Sequence, residues 1–485
     1  MSRLIHGWEV VVGLEVHAQV ATKAKLFSSS PTDFGSDPNT NVSFYDAAMP
    51  GMLPVLNGEV VNQAIKTGFG INAKINRISR FDRKNYFYPD LPAGYQISQL
   101  FYPIVSDGVV EINLQDGSRK TIGVERIHIE QDAGKSIHDL SPTCSYIDLN
   151  RSGVPLMEIV SKPDMRSSYE AMQYVKKLRA ILKYIGSCEC NMDRGNLRVD
   201  ANVSVRKPGE PFGNRVEVKN INSIRFLGQA IDYEVERQID VIGNGGRIVQ
   251  ETRLFDSSFC ETRSMRSKED AADYRYFPDP DLKPVILSDE RIEKLKAEMP
   301  ELPDVKHERF TKEYCLPESD ADVLIEEKTV ANYFEKAVKA SKFKPQESAK
   351  LIANWMIVEL FAVLNKNGQT IEDIEFPVEH IAKLVDLILD KTISGKIAKT
   401  VFAKVIECGD SPAKIVDDLG LVQIQDESVI TSAIDKVIQA NASQVEQYKA
   451  GKVQLFGFFV GQVMRELHGK GNPEMINKIL QKRLP

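Results

Sequence analysis

One stretch near the N-terminus decides the fold of the first part of the chain: Val10-Val11-Val12-Gly13-Leu14-Glu15-Val16-His17-Ala18-Gln19-Val20. Successive side chains of a strand point to opposite faces, so the apolar residues share one face and Glu15, His17 and Gln19 share the other. This period of two predicts a half-buried antiparallel strand. Its polar face carries an acid beside a base, which makes it the first candidate for chemistry.

The same alternation recurs in four further stretches of the first 290 residues. In each of them, apolar side chains take every second position, and acids, amides or bases take the positions between. The polar faces carry His128, Glu130 and Asp132; Arg198, Asp200, Asn202, Ser204 and Arg206; Arg215, Glu217 and Lys219; and Glu251 and Arg253. Taken singly, each stretch is also consistent with an ordinary strand whose polar face is solvated.

Taken together, the five strands point to a shared site. If they belong to one sheet, their carboxylates converge on a common surface, where they repel one another unless a cation is present. A set of ligands rich in oxygen and poor in nitrogen suits magnesium better than zinc. The arginines and lysines between the acids are what a polyphosphate requires around such a cation. The residue types therefore predict a cup for magnesium and a nucleotide.

A basic and aromatic segment is a second candidate for ligand contact. It reads Arg83-Lys84-Asn85-Tyr86-Phe87-Tyr88-Pro89-Asp90. Rings beside cations can stack a base and hold a phosphate, but a strand end with core aromatics fits the pattern as well. A phosphate-binding P-loop at Gly134-Lys135-Ser136 is excluded, because Ile129 stands where that motif needs glycine.

The pattern of turn residues and of apolar spacing divides the 485 residues into three parts. Short strands and Gly, Pro and Asn turns run to about residue 290, with one clear helix over residues 168–185 that stops at Gly186. Helical spacing dominates beyond Pro300, and Ser411 with Pro412 begins a last helical segment. We therefore predict an α+β protein with an N-terminal domain built on an antiparallel sheet (1–290), an all-α helical connector (291–405) and a helical tail domain (406–485).

Two apolar stripes and one reversal of charge characterise the helical parts. Residues 451–485 hold six basic and two acidic side chains, although the whole chain has a formal charge of −6. These bases are either a solvated surface or contacts for phosphate. Glycines 457 and 461 are interpreted as positions of close helix packing. The predicted stripes are Leu351, Trp355, Val358 and Ala362 in the connector, and Val453, Phe456, Val460, Val463 and Leu467 in the tail.

Composition excludes several classes of protein. The chain is 42% hydrophobic and 27% charged, as in ordinary globular proteins. Its six cysteines form no CxxC pair, so neither a zinc site nor a disulfide framework is expected. The N-terminus shows no apolar signal region, and the longest apolar run is far shorter than the roughly 18 residues that a membrane span needs. We expect a cytoplasmic protein.

Long motifs in this sequence resemble those of a known family, the B subunits of aspartyl/glutamyl-tRNA amidotransferases. Two of them read Val12-Gly13-Leu14-Glu15-Val16-His17-Ala18-Gln19 and Gly94-Tyr95-Gln96-Ile97-Ser98-Gln99. The others are residues 26–30, 38–41, 49–57, 83–90, 148–151, 163–165, 200–204, 266–269, 273–282, 461–464 and 469–473. The likeness is dense over the first 290 residues and returns in the tail.

The resemblance implies that the N-terminal domain is a cradle, followed by a helical domain and a flexible tail domain. It also implies a division of labour within a multi-subunit enzyme. The B subunits of this family use ATP and Mg²⁺ to phosphorylate the side-chain carboxylate of a glutamate or aspartate mischarged on tRNA. An amidase subunit releases ammonia from glutamine, and the ammonia displaces the phosphate. A small third subunit completes the complex, and the tail reaches tRNA. The implied enzyme is a carbon–nitrogen ligase with glutamine as amido donor.

The resemblance also implies site residues. We expect catalytic roles for Glu15, Glu130 and Glu217. The expected metal-site residues are Glu15, His17, Glu130, Asp200, Glu217 and Glu251, and the expected contacts to nucleotide or aminoacyl end are Lys84, Asn85, Tyr86, Arg198, Asn202 and Lys219. Gln131 departs from the family, which usually has a second acid there. On an alternating strand it faces away from Glu130, so the cup should survive.

Two other functions share part of this pattern. A stand-alone ATP-dependent carboxylate–amine ligase would amidate a free amino acid without tRNA or a partner. An RNA-binding scaffold without chemistry would tolerate loss of Glu15 or Glu130.

Overall fold

The computed structural model describes residues 4–267, 274–374, 376–424 and 426–484. These residues form two compact units, Met1–Pro303 and Asp304–Pro485. The finer division at residues 290 and 405 stays a prediction. Lys268, Glu269 and Asp273, which belong to two of the family motifs, lie outside the described residues.

The first unit is built on a nine-stranded sheet with the order β14-β13-β12-β11-β1-β10-β7-β6-β2. All of its pairings are antiparallel except β12–β13, which is parallel. The sheet is therefore mixed, whereas the prediction was a wholly antiparallel sheet. Its strands are β1 (Glu9–Gln19), β2 (Lys74–Ile75), β6 (Val105–Asn113), β7 (Arg119–Gln131), β10 (Pro155–Ser161), β11 (Leu197–Arg206), β12 (Val216–Ile221), β13 (Glu251–Asp256) and β14 (Glu261–Ser267).

Short strands form three smaller sheets in the same unit, of which β15-β4-β5 bears on the site. The short strands are β3 (Ile78–Ser79), β4 (Asp82–Asn85), β5 (Tyr95–Ser98), β8 (Lys135–Ile137), β9 (Tyr146–Asp148), β15 (Phe277–Pro278) and β16 (Val285–Ile286). Strand β15 pairs with β4, and β4 pairs with β5. This pairing joins segments that are remote in the chain.

Helices cover one face of the large sheet and create the core. The helices of this unit are α1 (Gly58–Gly70), α2 (Ser168–Ile185), α3 (Ile224–Gly243) and α4 (Asp289–Ala297). Helix α2 begins at the predicted residue, where the Ser167 side chain accepts from the Glu170 N–H, and it ends at Gly186 with φ +79°. In β1 the apolar residues are buried and Glu15, His17 and Gln19 are half-buried. The predicted alternation is therefore confirmed for β1, and its polar face is left on the open side.

The second unit is helical, as predicted. Its helices are α5 (Pro303–Lys312), α6 (Glu318–Ile325), α7 (Lys328–Ala340), α8 (Pro345–Asn354), a π-helix (Trp355–Leu360), α9 (Phe361–Asn367), α10 (Val378–Leu389), α11 (Gly395–Cys408), α12 (Pro412–Asp418), α13 (Glu427–Ala440), α14 (Ala442–Lys449), α15 (Leu455–Glu466) and α16 (Pro473–Arg483). Ser411 caps α12, whose first residue is Pro412. Among the described helices, none is both long and apolar enough to cross a membrane.

The predicted connector stripe is confirmed at Trp355, which is 5% exposed, and is wrong at Val358 and Ala362. Val358 is 51% exposed and Ala362 is exposed as well. A competing stripe is buried instead, at Ile352, Met356, Leu360 and Leu364. Its spacing of four exceeds the 3.6 residues of an α-helical turn, and the wider turns of the π-helix accommodate the difference.

The tail differs from its prediction in two places. Val453 is 69% exposed and precedes α15, while Phe459 and Val463 carry the buried face of that helix. The glycines 457 and 461 face open space, because among the described residues no atom beyond their chain neighbours and the backbone of α15 itself lies within 4 Å of where a Cβ would stand. The interpretation of these glycines as packing positions is therefore wrong.

Candidate metal and phosphate site on the open face of the sheet

Strand register aligns the functional side chains in rows across the open face. Glu158 on β10 lies opposite His128 on β7 and His17 on β1, and His17 lies opposite Arg198 on β11. In the next row, Glu15 lies opposite Asp200. Directly paired residues of a sheet share a face, so residues that are remote in the chain meet at one surface.

Three side chains form the tightest group. His17 Nε2 lies 3.4 Å from Glu158 Oε2 and 3.7 Å from Glu130 Oε1. One possible ligand atom from each of the three lies within 4.8 Å of the others. His128 adjoins them, with Nε2 3.2 Å from Glu158 and 3.6 Å from Glu130. The side chains of Glu130 and Glu158 are only 4% and 13% exposed, so their charge must be compensated locally.

Pairing with two histidines keeps the acids of this group ionised. Burial raises the pKa of Glu130 and Glu158, but His128 and His17 outweigh it and hold both pKa values below the usual range. Burial lowers the pKa of His128, while Glu158 and Glu130 raise it to about 9. The carboxylates are therefore ionised at neutral pH. The Nδ1 atom of His128 is buried without a hydrogen-bond partner among the described residues.

This donor set fits magnesium. Two ionised carboxylates and one imidazole offer mainly hard oxygen ligands, and three protein donors leave positions for water or phosphate oxygens. A structural zinc site would instead be closed by four ligands, commonly with thiolates.

A second group continues the site across β11 and β12. Asn202 Nδ2 donates to Glu15 Oε1 at 3.0 Å. Lys219 Nζ lies 2.5 Å from Asp200 Oδ2 and 3.0 Å from Glu217 Oε1. Burial raises the pKa of Glu15, and the charges of Glu158 and Glu217 add to the effect. Glu15 therefore connects the two groups electrostatically.

Lys84 brings a half-buried cation to the same surface. Its Nζ lies 4.9 Å from the ring centre of Tyr274 and 5.8 Å from that of Tyr86. Tyr276 packs edge-on against Tyr274, with 6.1 Å between ring centres. Burial lowers the pKa of Lys84, but Glu130, Tyr276 and Glu158 outweigh it and raise the pKa above its usual value. The lysine therefore stays charged beside the carboxylates.

Three expected site residues have other partners in the structure. Asn85 Nδ2 donates to the backbone oxygens of Tyr274 at 3.0 Å and of residue 275 at 2.8 Å, so it fixes that segment. Arg198 Nη2 donates to Asp132 at 2.6 Å. Asp200 is engaged by Lys219 and lies outside the His17–Glu130–Glu158 group.

Glu251 needs a correction, because it lies on the opposite face of the sheet. Its neighbour Thr252 pairs with Glu217 and donates to it at 2.7 Å, so Thr252 occupies the open face. Glu251 instead contacts Arg253 at 2.8 Å and Arg237 of α3 at 3.8 Å. The structure does not bring it to the metal group, and its predicted role as a ligand is wrong.

Two further expectations are resolved by exposure and direction. Phe87 is 85% exposed and Tyr88 is 58% exposed, so the alternative of core aromatics in this segment is wrong for both rings. Gln131 lines a separate cavity of about 270 Å³ together with Tyr95 and Gly153. It faces away from Glu130, as the alternation predicted.

Glu158 is the residue that sequence reasoning missed. It stands alone in Pro155-Leu156-Met157-Glu158-Ile159-Val160-Ser161, which is apolar on both sides. An acid inside such a run must find a partner when the strand is buried, and this was the available signal.

The comparisons with known proteins agree with this architecture. Residues 10–293 match the family model described as the GatB/GatE catalytic domain, and residues 332–484 match the one described as the GatB domain. A sheet with the site on its open face, followed by a helical unit, thus defines a protein of the GatB/GatE class.

Curated relatives narrow the class to a family. The chain is 56% identical to the B subunit of the aspartyl/glutamyl-tRNA(Asn/Gln) amidotransferase from Rickettsia bellii, with 98% of both chains covered. The protein of the same name from Granulibacter bethesdensis is 56% identical over 100% of both chains, and that from Novosphingobium aromaticivorans is 57% identical over 98% and 97%. The chain belongs to the family of aspartyl/glutamyl-tRNA(Asn/Gln) amidotransferase B subunits. The predicted family and enzyme class, a carbon–nitrogen ligase that uses glutamine, are confirmed.

Proposed function

We propose that this protein phosphorylates the side-chain carboxylate of glutamate or aspartate mischarged on tRNA, with ATP and Mg²⁺, and that ammonia then displaces the phosphate. The observation that carries the proposal is the group of His17, Glu130 and Glu158 on the open face, with Lys84 beside it. Acids that could hold a cation and a fixed cation that could meet phosphate oxygens are both needed for phosphoryl transfer.

The reaction balances in two steps. A carboxylate oxygen of the substrate attacks the γ-phosphorus of ATP, the bond to the β-phosphate oxygen breaks, and ADP leaves. Ammonia then attacks the carbonyl carbon of the acyl phosphate, and inorganic phosphate leaves with the electrons of the C–O bond. The nitrogen loses a proton and the amide remains. Activation is necessary because the oxygen of a carboxylate is a poor leaving group.

The residues divide these tasks. His17, Glu130 and Glu158 would hold Mg²⁺, which supplies charge neutralisation on phosphate oxygens when bound. Lys84 faces the same carboxylates and would meet the transferred phosphoryl group or the acyl phosphate, and Tyr86 and Tyr274 wall that position.

Glu15 and Lys219 complete the division of tasks on β1 and β12. The raised pKa of Glu15 suits a group that accepts the proton lost by the attacking nitrogen. Lys219 holds the carboxylates of Asp200 and Glu217 in place. Asn202 donates a hydrogen bond directly to Glu15.

The reaction requires an ammonia source and an RNA. The relatives are named as one lettered component of a larger enzyme, which implies further subunits, and we propose an amidase and a small third subunit as partners. The setting would be the cytoplasm. The decisive experiment is co-purification with those partners, followed by phosphate release with mischarged tRNA. Hydroxylamine should trap the acyl phosphate as a hydroxamate when glutamine is absent.

The two other functions give different results in this assay. A stand-alone ligase would release phosphate with free glutamate and no tRNA. An RNA-binding scaffold would bind the tRNA without ATP cleavage in any combination of subunits. Either result contradicts the proposal.

The tail is proposed to hold tRNA through exposed lysines. Lys478 and Lys482 are exposed one turn apart on α16, where they form part of the local excess of positive charge. Replacing both with glutamate is expected to weaken tRNA binding and to lower the slope of log affinity against log salt by about 2, because two phosphate contacts are lost.

Titration of labelled tRNA into the complex at several salt concentrations measures this slope. The control is Lys404→Glu, at an exposed lysine that pairs with Glu407 outside the tail. An unchanged slope in the double variant would show that α16 does not contact phosphate.

A further inference from the structure

Four alternating charges form a closed ring on the helix-covered face of the sheet. Glu234 and Arg237 lie on α3, and Glu251 and Arg253 lie on β13. Arg237 Nη2 is 2.6 Å from Glu234, and Arg253 Nη1 is 2.8 Å from Glu251. The ring closes through Arg237 to Glu251 at 3.8 Å and Arg253 to Glu234 at 3.5 Å.

Glu234 is the anchor of this ring. Its side chain is 0% exposed, and it accepts hydrogen bonds from Gln238 Nε2 and from Thr262 Oγ1 on β14, both at 2.9 Å. A buried carboxylate is tolerated only when it is paired and hydrogen-bonded, and removing a partner is strongly destabilising to its position. The carboxylate therefore ties α3, β13 and β14 together.

Strand β13 lies between β12 and β14 in the sheet, with this anchor behind it. It pairs with β12 in parallel, through Glu217–Thr252, Val218–Arg253 and Lys219–Leu254. Two of the ring members, Glu251 and Arg253, flank Thr252 and point to the opposite face. Whatever fixes those two side chains behind the sheet also fixes Thr252 in front of it.

Thr252 transmits the alignment to the candidate site. Its Oγ1 donates to Glu217 Oε2 at 2.7 Å. Glu217 in turn lies 3.0 Å from Lys219, and its charge helps to raise the pKa of Glu15. A shift of β13 would move the Thr252 hydroxyl away from Glu217 and change the orientation of a carboxylate that Lys219 also contacts.

We propose that the ring of Glu234, Arg237, Glu251 and Arg253 is a positioning device for the reaction on the open face. It holds β13 in register, so that Thr252 orients Glu217 beside Glu15 and Lys219. Its members touch neither substrate nor cation and are positioning residues. The inference rests on the proposed function, because the orientation of Glu217 matters only if the open face is the reaction site.

A double-mutant cycle between Glu234 on α3 and Thr252 on β13 tests the proposal. Glu234→Gln in the assembled complex is expected to lower kcat for ATP cleavage with mischarged tRNA about tenfold, with KM for glutamine and tRNA affinity unchanged. In a Thr252→Val background the same change should lower kcat less than about twofold, because both substitutions act through one hydrogen bond. Arg253→Lys, which keeps the charge, should restore most of the rate that Arg253→Ala loses.

Glu170→Gln is the matched control. Glu170 is also a buried acid on a helix behind the sheet, with Lys120 Nζ at 2.8 Å and the Arg166 N–H at 2.7 Å. Lys120 lies at the start of β7, and the site residue Glu130 lies at the opposite end of that strand. We therefore expect kcat to stay at the wild-type value in both backgrounds. Melting temperatures of all variants separate a loss of stability from a loss of positioning.

The outcomes distinguish failure of the positioning role from failure of the proposed function. The positioning role is overturned if the fold-losses of kcat caused by Glu234→Gln and by Thr252→Val multiply in full in the double variant. It is also overturned if Glu234→Gln alone leaves kcat unchanged. If Glu217→Gln itself leaves the complex fully active, the assignment of the reaction to this part of the face is overturned.

Discussion

Replacing Glu158 with glutamine is expected to lower ATP cleavage stimulated by mischarged tRNA by roughly a hundredfold to a thousandfold, while tRNA still binds. Glu158 is the acid that both histidines contact, at 3.4 Å from His17 and 3.2 Å from His128. The amide keeps the shape of the side chain but removes an anionic ligand. The Mg²⁺ concentration that gives half-maximal rate should therefore rise at least about tenfold.

Phosphate release at varied Mg²⁺, with tRNA affinity measured in parallel, checks this expectation. Glu130→Gln should behave in the same way, because Glu130 belongs to the same group. Glu125→Gln is the control, since Glu125 lies on the same strand but is 56% exposed and pairs only with its neighbour Arg126 among the described contacts. If Glu158→Gln kept the wild-type Mg²⁺ requirement, the assignment of the metal to this group would be contradicted, and so would the proposal of phosphoryl transfer at this site.

The alternation of side chains predicted which residues share a face, and the structure shows why that was informative but incomplete. Glu15, His17 and Glu130 come together because the strands carry them on the face away from the helices. Glu251 shows the same period of two, yet its phase along β13 directs it toward α3. A period says nothing about which face meets the helices, because that depends on the pairing with β12.

The prediction of which helix face is buried was limited by a similar ambiguity. Val358 belongs to a stripe that fits 3.6 residues per turn, whereas Met356 and Leu360 belong to a stripe with a spacing of four. Both are apolar, so local spacing alone could not choose between them. The structure has a π-helix over Trp355–Leu360, and its wider turns keep the second stripe on the buried side.

Lys84→Met is expected to lower the rate of ATP cleavage about a hundredfold, because a fixed cation beside developing phosphoryl charge is lost. Methionine keeps the length of the side chain and can remain between the rings of Tyr86 and Tyr274. The same substitution removes a positive charge near Glu130 and Glu158, so those carboxylates should attract a cation more strongly. The half-saturating Mg²⁺ concentration should therefore fall while the rate falls, which is the opposite of the pattern expected for Glu158→Gln.

Because Lys84→Met and Glu158→Gln should change the half-saturating Mg²⁺ concentration in opposite directions, they jointly test whether Lys84 and the metal compete for the same carboxylates. Lys84→Arg keeps the charge and should leave the Mg²⁺ requirement unchanged, with a smaller loss of rate. Arg80→Met is the matched control, since Arg80 also lies over a ring, 5.3 Å from the centre of Tyr102, but takes no part in the site. If Lys84→Met raised the Mg²⁺ requirement, the lysine would be supporting the metal group and not competing with it. A rate within about threefold of wild type would place the transferred phosphoryl group away from Lys84.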